Sequence, residues 1–208
     1  MVTQNTTLMD MAEASLKGRW GLAIGTFIIY IAIISGVQIG IHYHHLTANL
    51  ALLIVGGPLE YGAAVFTLAL SRNQDAQFEQ MFKGFERFWV ALVAYLFMVL
   101  FILLWALLFI IPGIIALLSY SMTFFILADH PNMDPLTAID KSKEMMYGFK
   151  LKYFWLNMIY LLLTILCIVT LGIGFLWFIP YRHVTNAKFY DDIKEGVIAE
   201  EINGVSPH

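Results

Sequence analysis

The feature that most constrains this chain is an apolar stretch without a single charge, residues 89–127. About 20 consecutive apolar residues suffice for a helix to cross the hydrocarbon core of a bilayer, and a second such run covers residues 20–41. Only 13% of the 208 residues are charged, about half the share found in soluble domains. The sequence therefore predicts a single integral membrane domain over residues 1–208.

The apolar runs and the prolines between them predict an all-α bundle of about six membrane-spanning helices. The predicted spans are residues 20–41, 46–70, 88–111, 112–128, 153–171 and 172–190. The second, fourth and sixth contain or begin with a proline, Pro58, Pro112 or Pro180, and proline interrupts helical hydrogen bonding. The sixth has a short apolar part followed by polar residues. It therefore either crosses under the shelter of other helices or lies partly in the interface.

The N-terminal segment, residues 1–19, is predicted to form an amphipathic helix on the membrane surface. Thr7 and Asp10 resemble a capping box with aspartate in the place of glutamate. The apolar face of this helix is predicted to consist of Leu8, Met9, Ala12 and Leu16.

Two further amphipathic segments are predicted between the spans. In the first, apolar residues recur at helical spacing and form a stripe of Phe78, Met81, Phe82, Phe85 and Trp89. In the second, Asp134 is a natural N-cap, Pro135 suits the first helical position and Gly148 can end the helix. Its apolar side is predicted to consist of Leu136, Ile139 and Met146, and its polar side of Lys141, Lys143 and Glu144.

The order of these parts indicates three copies of one unit, each a surface helix followed by two spans in a hairpin. Each unit carries a glycine, then basic residues, then a tryptophan at the start of a span. The glycines are Gly18, Gly84 and Gly148, and the tryptophans are Trp20, Trp89 and Trp155. Internal repeats are common in membrane transport folds. The alternative is that any hairpin protein with interfacial tryptophan and lysine would show such spacing.

The basic residues predict that both termini lie on the cytoplasmic side of the inner membrane. All 12 lysines and arginines precede the first span, separate the second from the third or the fourth from the fifth, or lie near or after the end of the sixth. The connections around Tyr43, Pro112 and Gly172 contain none. Positive charge stays on the cytoplasmic side of membrane proteins, so the surface helices and a polar C-terminal tail, residues 191–208, are predicted there.

Five stretches of sequence carry a family resemblance: GPLEYG, SRNQDAQFEQMFKGFERF, IIPGIIALLSYSMTFFILADHP, AIDKSKEMMYG and LGIGFLWFIPYRHVTNAKFY. Together they resemble a bacterial family of integral membrane proteins catalogued as domain of unknown function 975. The resemblance covers roughly residues 16–190. It implies a bacterial polytopic membrane protein, and it implies no reaction, cofactor or substrate.

The sequence offers no catalytic motif, and a non-enzymatic protein without a cofactor is predicted. It has no Walker A loop, HExxH helix or GxSxG elbow. Asp129, His130 and Asp134 read as the end of a span and a helix cap, rather than as an enzyme site for lipid head groups. The net charge of −3 gives no reason to expect a nucleic-acid partner.

Three histidines, His42, His44 and His45, lie close together in a predicted external loop. Their spacing does not put all three on one face of a helix, and no carboxylate or thiol lies near them in the sequence. They are therefore interpreted as polar loop residues rather than as metal ligands.

Glu60 is the residue that most needs an explanation, because a charge at mid-membrane costs about 2.5–3.5 kcal/mol on insertion scales. It lies beside Gly57, Pro58 and Tyr61, in a helix that the Gly-Gly-Pro segment is predicted to break. Non-helical backbone at that depth is tolerated only where protein or a water-filled cavity covers it. These four residues therefore form the first half of a candidate polar site.

Arg182 is the predicted partner of Glu60. Each lies two residues after the proline of its unit, so true repeats would place the two opposite charges at similar depth. His183 follows Arg182 and completes the candidate site. The pair is interpreted either as a buried strut or as the coupling site of a transporter.

Two functions from different classes remain open. The first is a non-enzymatic protein that organises or regulates a partner complex in the cell envelope, in contact with lipid and with a membrane protein or a second copy of itself. The alternative is a small transporter or channel for a solute, an ion or a lipid, which would use the broken helix around Glu60. An interfacial lipid enzyme is a distant third.

Overall fold

Every regular element is helical in the part of the chain that the computed structural model describes, residues 3–39 and 45–202. The predicted all-α class is therefore confirmed, whereas His42 and His44 lie outside the described residues. The helices are α1 (Asn5–Leu16), α2 (Trp20–Ile39), α3 (His45–Ser71), α4 (Lys83–Glu86), α5 (Phe88–Leu108), α6 (Ile110–Tyr120), α7 (Thr123–Asp129), α8 (Pro135–Met145), α9 (Lys150–Val169) and α10 (Phe175–Ile202). A 3₁₀ turn, Phe78–Phe82, precedes α4.

Five helical stretches of the described residues are long and apolar enough to cross a membrane. They are Trp20–Val37, Ala51–Ser71, Phe88–Leu108, Ile110–Asp129 and Lys150–Val169, which agree with the first five predicted spans. The fourth consists of α6 and α7, with a turn between them. The sixth predicted span is the first part of α10, which continues beyond it as one helix through the segment predicted as a polar tail, as far as Ile202.

Pro58 lies inside α3, which runs unbroken from His45 to Ser71. The predicted break at Gly56, Gly57 and Pro58 is therefore wrong. A proline removes one helical hydrogen bond and presses on the carbonyl one turn earlier, and membrane helices absorb this through local adjustment and their neighbours. Pro180 lies inside α10 in the same way.

Glycines bring the backbone of α3 unusually close to its neighbours. A Cβ atom on Gly57 would lie 2.5 Å from the carbonyl oxygen of Ala91 in α5. One on Gly62 would lie 1.8 Å from the carbonyl oxygen of Met81, and one on Gly84 would lie 1.8 Å from that of Pro58. Small residues at helix interfaces allow this kind of contact in membrane proteins. The Gly-Gly-Pro segment thus serves close packing rather than a break.

The second helix of each predicted unit lies at the centre of the bundle. The buried share of each candidate span is 56% in α3 and 61% in the span made of α6 and α7. It is only 17% in α2, 17% in α5 and 22% in α9. In α10, the buried residues include Phe178, Val184, Phe189, Tyr190 and Ile193. Helices α2, α5 and α9 therefore form an outer layer around a core of α3, the end of α6, α7 and α10, whereas the start of α6 is exposed, with Ile110 at 78%.

Helix α1 packs its apolar face on protein, against α10 and α3. Leu8, Ala12 and Leu16 are at most 1% exposed, and Met9 is partly buried against the core. The predicted apolar face therefore packs on protein, and the predicted place of α1 at the membrane surface stays a prediction. The predicted capping box is also wrong. Gln4 occupies the N-cap position, and Thr7 lies within the helix.

The aromatic stripe is not one helix, because it is divided between the 3₁₀ turn, α4 and the start of α5. Met81 is fully buried, whereas Phe85 is 40% and Trp89 is 73% exposed. The rings of Phe78 and Phe82 pack edge to face, with centroids 5.3 Å apart. The stripe therefore packs on the bundle chiefly through the buried side chain of Met81.

The predicted start of α8 is confirmed in detail. The Asp134 side chain accepts hydrogen bonds from the backbone N–H groups of Leu136 and Thr137, and Pro135 is at the first helical position. Gly148 follows the helix with φ of +79°, a left-handed conformation that glycine adopts without strain. Leu136, predicted to be on the apolar side, is instead 41% exposed, while Ile139 and Met146 are buried as predicted.

Candidate functional site

Charged and polar side chains from α7, α10 and the turn directly after α3 meet at one end of the bundle, in a group that we call the ionic cluster: Arg72, Asp129, Tyr190, Asp191 and Lys194. Arg72 donates to both oxygens of Asp129, at 2.6 and 2.8 Å, and to Asp191 at 2.6 Å. Asp129 also accepts from the Lys194 ammonium at 2.7 Å and the Tyr190 hydroxyl at 3.0 Å. The cluster fastens the ends of three core elements to each other.

A second ionic contact ties both ends of the described chain to α9. Asp192 in α10 accepts a hydrogen bond from the backbone N–H of Thr3 at 3.1 Å and pairs with Lys152 at 2.7 Å. Burial by itself raises the pKa of Asp192, but the hydrogen bonds from Lys152 and Thr3 outweigh it, so the pKa is below its usual value. The carboxylate therefore stabilises the fold in its charged form.

A cavity of about 520 Å³ lies between α1, the end of α3 and α10, beside both ionic contacts. Its charged lining consists of Arg72, Lys188, Lys194, Asp191, Asp192 and Glu195. Positive and negative side chains are present in equal number, so the lining has no net preference for an anion or a cation. We regard this cavity as part of the structural anchorage.

Glu60 lies far from this end, near the middle of α3, and its partner is a tyrosine. The Tyr30 hydroxyl in α2 donates a hydrogen bond of 2.9 Å to the Glu60 carboxylate. Tyr95 in α5 lies against Gly56, one turn before Glu60, where a Cβ atom would come within 3.1 Å of the Tyr95 ring. These residues line a cavity of about 170 Å³ whose other walls are aliphatic.

Arg182 does not pair with Glu60, so the predicted ion pair is not formed among the described residues. Its guanidinium lies 5.5 Å from the centre of the Tyr160 ring, whose hydroxyl donates to the Asn186 side chain at 3.1 Å. The prediction failed because a position two residues after a proline fixes depth along a helix but not the direction of the side chain.

His183 is brought to the same layer as Glu60 from α10. Its ring centre lies 4.8 Å from that of Phe27 and 6.3 Å from that of Tyr30. Tyr30 therefore lies between two of the predicted site residues, Glu60 and His183. We call Tyr30, Glu60, Tyr95, Tyr160, Arg182 and His183 the mid-depth polar layer.

The other predicted site residues, Gly57, Pro58 and Tyr61, lie in tightly packed surroundings. Tyr61 is 3% exposed and belongs to the main hydrophobic core. Gly57 and Pro58 form the close contacts of α3 with α5 and with Gly84. Asp129 and Asp134, which were weighed as enzyme residues, belong to the ionic cluster and to the cap of α8.

Sequence reasoning missed Tyr30 and Tyr95, although a signal for both was available. A tyrosine in the middle of an apolar span carries a hydroxyl that needs a hydrogen-bonding partner when it is buried. Tyr30 lies near the middle of such a span, and the carboxylate at Glu60 was its evident acceptor. Tyr95 lies about two turns inside another span.

Five apolar helical stretches of membrane-spanning length in the described residues define the class, a helical membrane protein. A family model described as "Protein of unknown function (DUF975)" matches residues 1–119 and 107–196, so the chain belongs to this family. The resemblance found in the sequence is thereby confirmed. Searches of curated proteins and of solved structures found no match.

Proposed function

We propose that the protein crosses the bacterial inner membrane with both termini on the cytoplasmic side. The end of the bundle that holds the ionic cluster carries Arg72, Lys152, Lys188 and Lys194, and cytoplasmic segments are rich in lysine and arginine. Arg19, just before α2, donates to the Asn73 side chain after α3, and Arg87, just before α5, donates to the Pro131 carbonyl after α7. These contacts gather the basic residues at one end.

The first part of α10, residues 175–190, is the sixth crossing in this proposal. Thr3 and Asp192 are hydrogen-bonded, so the chain enters and leaves at the same end and needs an even number of crossings. Composition alone does not identify this helix as a span. Its central place in the bundle shields it from lipid. This supports the prediction that the sixth span crosses the membrane while other helices cover it, rather than the alternative that it lies partly in the interface.

We also propose that the three predicted units are related copies, and that the middle unit has diverged most from the other two. Gly18 after α1 and Gly148 after α8 both have left-handed φ, +80° and +79°. The helix pairs that follow them each end in a helix with an internal proline, Pro58 or Pro180. Gly84 in the middle unit serves a different purpose, since it packs on the carbonyl of Pro58.

For function, we favour a non-enzymatic protein that binds a small charged solute at mid-depth, as a transporter or channel does. The observation that supports it is the cavity beside Glu60, where α2, α3 and α5 place a carboxylate and two tyrosines. All three units contribute to the mid-depth polar layer. Intramembrane charges of this kind commonly mark solute or ion pathways. Because α3 is continuous, the site does not use a broken helix.

Native mass spectrometry after purification in mild detergent tests this function. We expect a small solute to be retained stoichiometrically by the wild type and lost from Glu60→Gln. A stoichiometric protein partner without any small solute would contradict it.

The second candidate, a protein that organises a partner complex, is favoured by the exposed surface of α8 and of the turn after it. Leu136 is 41% and Tyr147 is 62% exposed, and the charged residues Lys141, Lys143 and Glu144 lie between them in the sequence. Tyrosine is enriched among the residues that contribute most to binding at protein interfaces. A Tyr147→Ala variant that keeps its stability but loses a co-purifying protein would support this function.

A further inference from the structure

We propose that the cavity beside Glu60 binds a small organic cation with an ammonium centre and a single positive charge. This inference rests on the solute-binding function proposed above and names its ligand class. The cavity, about 170 Å³, lies between α2, α3 and α5. Its polar groups are the Glu60 carboxylate and the hydroxyls of Tyr30 and Tyr95, and its remaining walls are aliphatic.

The Glu60 carboxyl group in this cavity has no ion-pair partner within 4.0 Å among the described residues. Tyr30 donates its hydroxyl to one carboxyl oxygen of Glu60 at 2.9 Å, which orients the group toward the cavity that it lines. A buried carboxylate is normally paired, so a cation from outside the chain would complete the site when Glu60 is ionised.

The two tyrosine rings and the aliphatic walls select an organic cation over a metal ion. Ammonium groups are attracted to the faces of aromatic rings, and cages of such rings recognise methylated ammonium ions. Metal cations such as Ca²⁺ need six or more oxygen ligands, and Mg²⁺ needs an octahedral set. The cavity supplies a carboxylate and two phenol oxygens, and its aliphatic side chains cannot replace a hydration shell.

The charge of the ligand follows from the lining of the cavity, in which Glu60 is the acidic residue and, among the described residues, no lysine or arginine takes part. On α10, His183 lies near Tyr30, whereas Arg182 packs on the Tyr160 ring and does not line the cavity. One carboxylate balances one positive charge, so a monovalent cation is the class that the site favours.

The test is the thermal unfolding midpoint of the full chain in lipid nanodiscs, titrated with tetramethylammonium chloride. The reference titrations use sodium chloride at equal ionic strength, sodium acetate, and glycine as a zwitterion. We expect saturable stabilisation by tetramethylammonium alone. The apparent Kd should rise at least ~30-fold in Glu60→Gln, because truncating one partner of a buried charge pair has effects of that order.

Two further variants separate binding from folding. Val55→Phe fills the cavity but keeps the carboxylate, and it should weaken binding as well. Glu195→Gln removes an exposed acid elsewhere on α10 and should leave the titration unchanged.

The outcomes distinguish the ligand class from the proposed function. Stabilisation by acetate, glycine or sodium that depends on Glu60, without a response to tetramethylammonium, would overturn the organic-cation class and leave solute binding standing. If none of the probes gives a response that depends on Glu60, both the organic-cation class and this site for the proposed function are overturned.

Discussion

At the level of single residues, Asp129 is the acceptor on which the ionic cluster depends. It accepts four hydrogen bonds, two from Arg72 and one each from Tyr190 and Lys194. Its side chain is 9% exposed and that of Arg72 is 29% exposed. These contacts should therefore stabilise the fold more than a surface ion pair does, and less strongly than a fully buried pair depends on both of its partners.

Replacing Asp129 by asparagine should lower the free energy of unfolding by about 2–3 kcal/mol, since it strands two cations that are partly buried. Asp140 on the exposed face of α8 provides the matched control, and Asp140→Asn should change stability by less than about 0.5 kcal/mol. Equal losses in the two variants, measured by unfolding in detergent, would mean that the cluster does not hold the bundle together.

The Asp192 carboxylate makes part of the stability depend on pH. Its pKa is lowered in the folded state, so the stabilisation is fully present above the ordinary aspartate pKa of about 4 and is lost as the pH falls through the lower folded value. Wild type should therefore be more stable than Asp192→Asn at pH 6, and the difference should shrink below pH 4. A difference that grows on acidification would contradict the contact with Lys152.

Glu60 and Arg182 should act independently, because they have separate partners. In a double-mutant cycle with Glu60→Gln and Arg182→Gln, we expect a coupling energy below about 0.5 kcal/mol. A coupling of several times that size would show that the two side chains pair in the bilayer after all. The readout is the free energy of unfolding of the four proteins in the same detergent.

At the level of elements, the close approach of α3 to its neighbours depends on glycine. Gly62→Ala would place a methyl group 1.8 Å from the Met81 carbonyl oxygen, and overpacking of this kind costs about 1–3 kcal/mol or more. Gly25 in α2 has nothing within 4 Å of the corresponding position. Gly25→Ala should therefore be neutral or stabilise the protein by about 0.4–1 kcal/mol. Similar effects of the two changes on the unfolding midpoint would argue against this contact.

Elements whose signals are local could be predicted from the sequence. The cap at Asp134, the proline after it and the glycine at Gly148 act within one or two turns of α8, and all three are found as predicted. The capping box at Thr7 failed because α1 starts earlier, at Asn5. The break at Pro58 failed because neighbouring helices decide whether a proline interrupts a membrane helix.

At the level of the whole molecule, the arrangement depends on contacts between residues far apart in the chain. Arg72 and Asp191 are 119 positions apart, and Thr3 and Asp192 are 189 apart. No periodicity in the sequence relates such positions, so the ionic cluster was not predicted. The core and outer layers were not predicted either, because all the spans are apolar and hydrophobicity does not tell lipid from protein.

Cysteine accessibility tests the central claim, that the chain crosses the membrane six times and that both termini and the charged end of the bundle lie on the cytoplasmic side. In a Cys167→Ala background, single cysteines are placed at Ile173 between α9 and α10, at Lys141 in α8 and at Glu195 in α10. An impermeant maleimide added to intact spheroplasts should label only Ile173→Cys, and permeabilisation should expose the other two. Labelling of Glu195→Cys together with Ile173→Cys would mean that α10 does not cross, and labelling of only Lys141→Cys and Glu195→Cys would invert the topology.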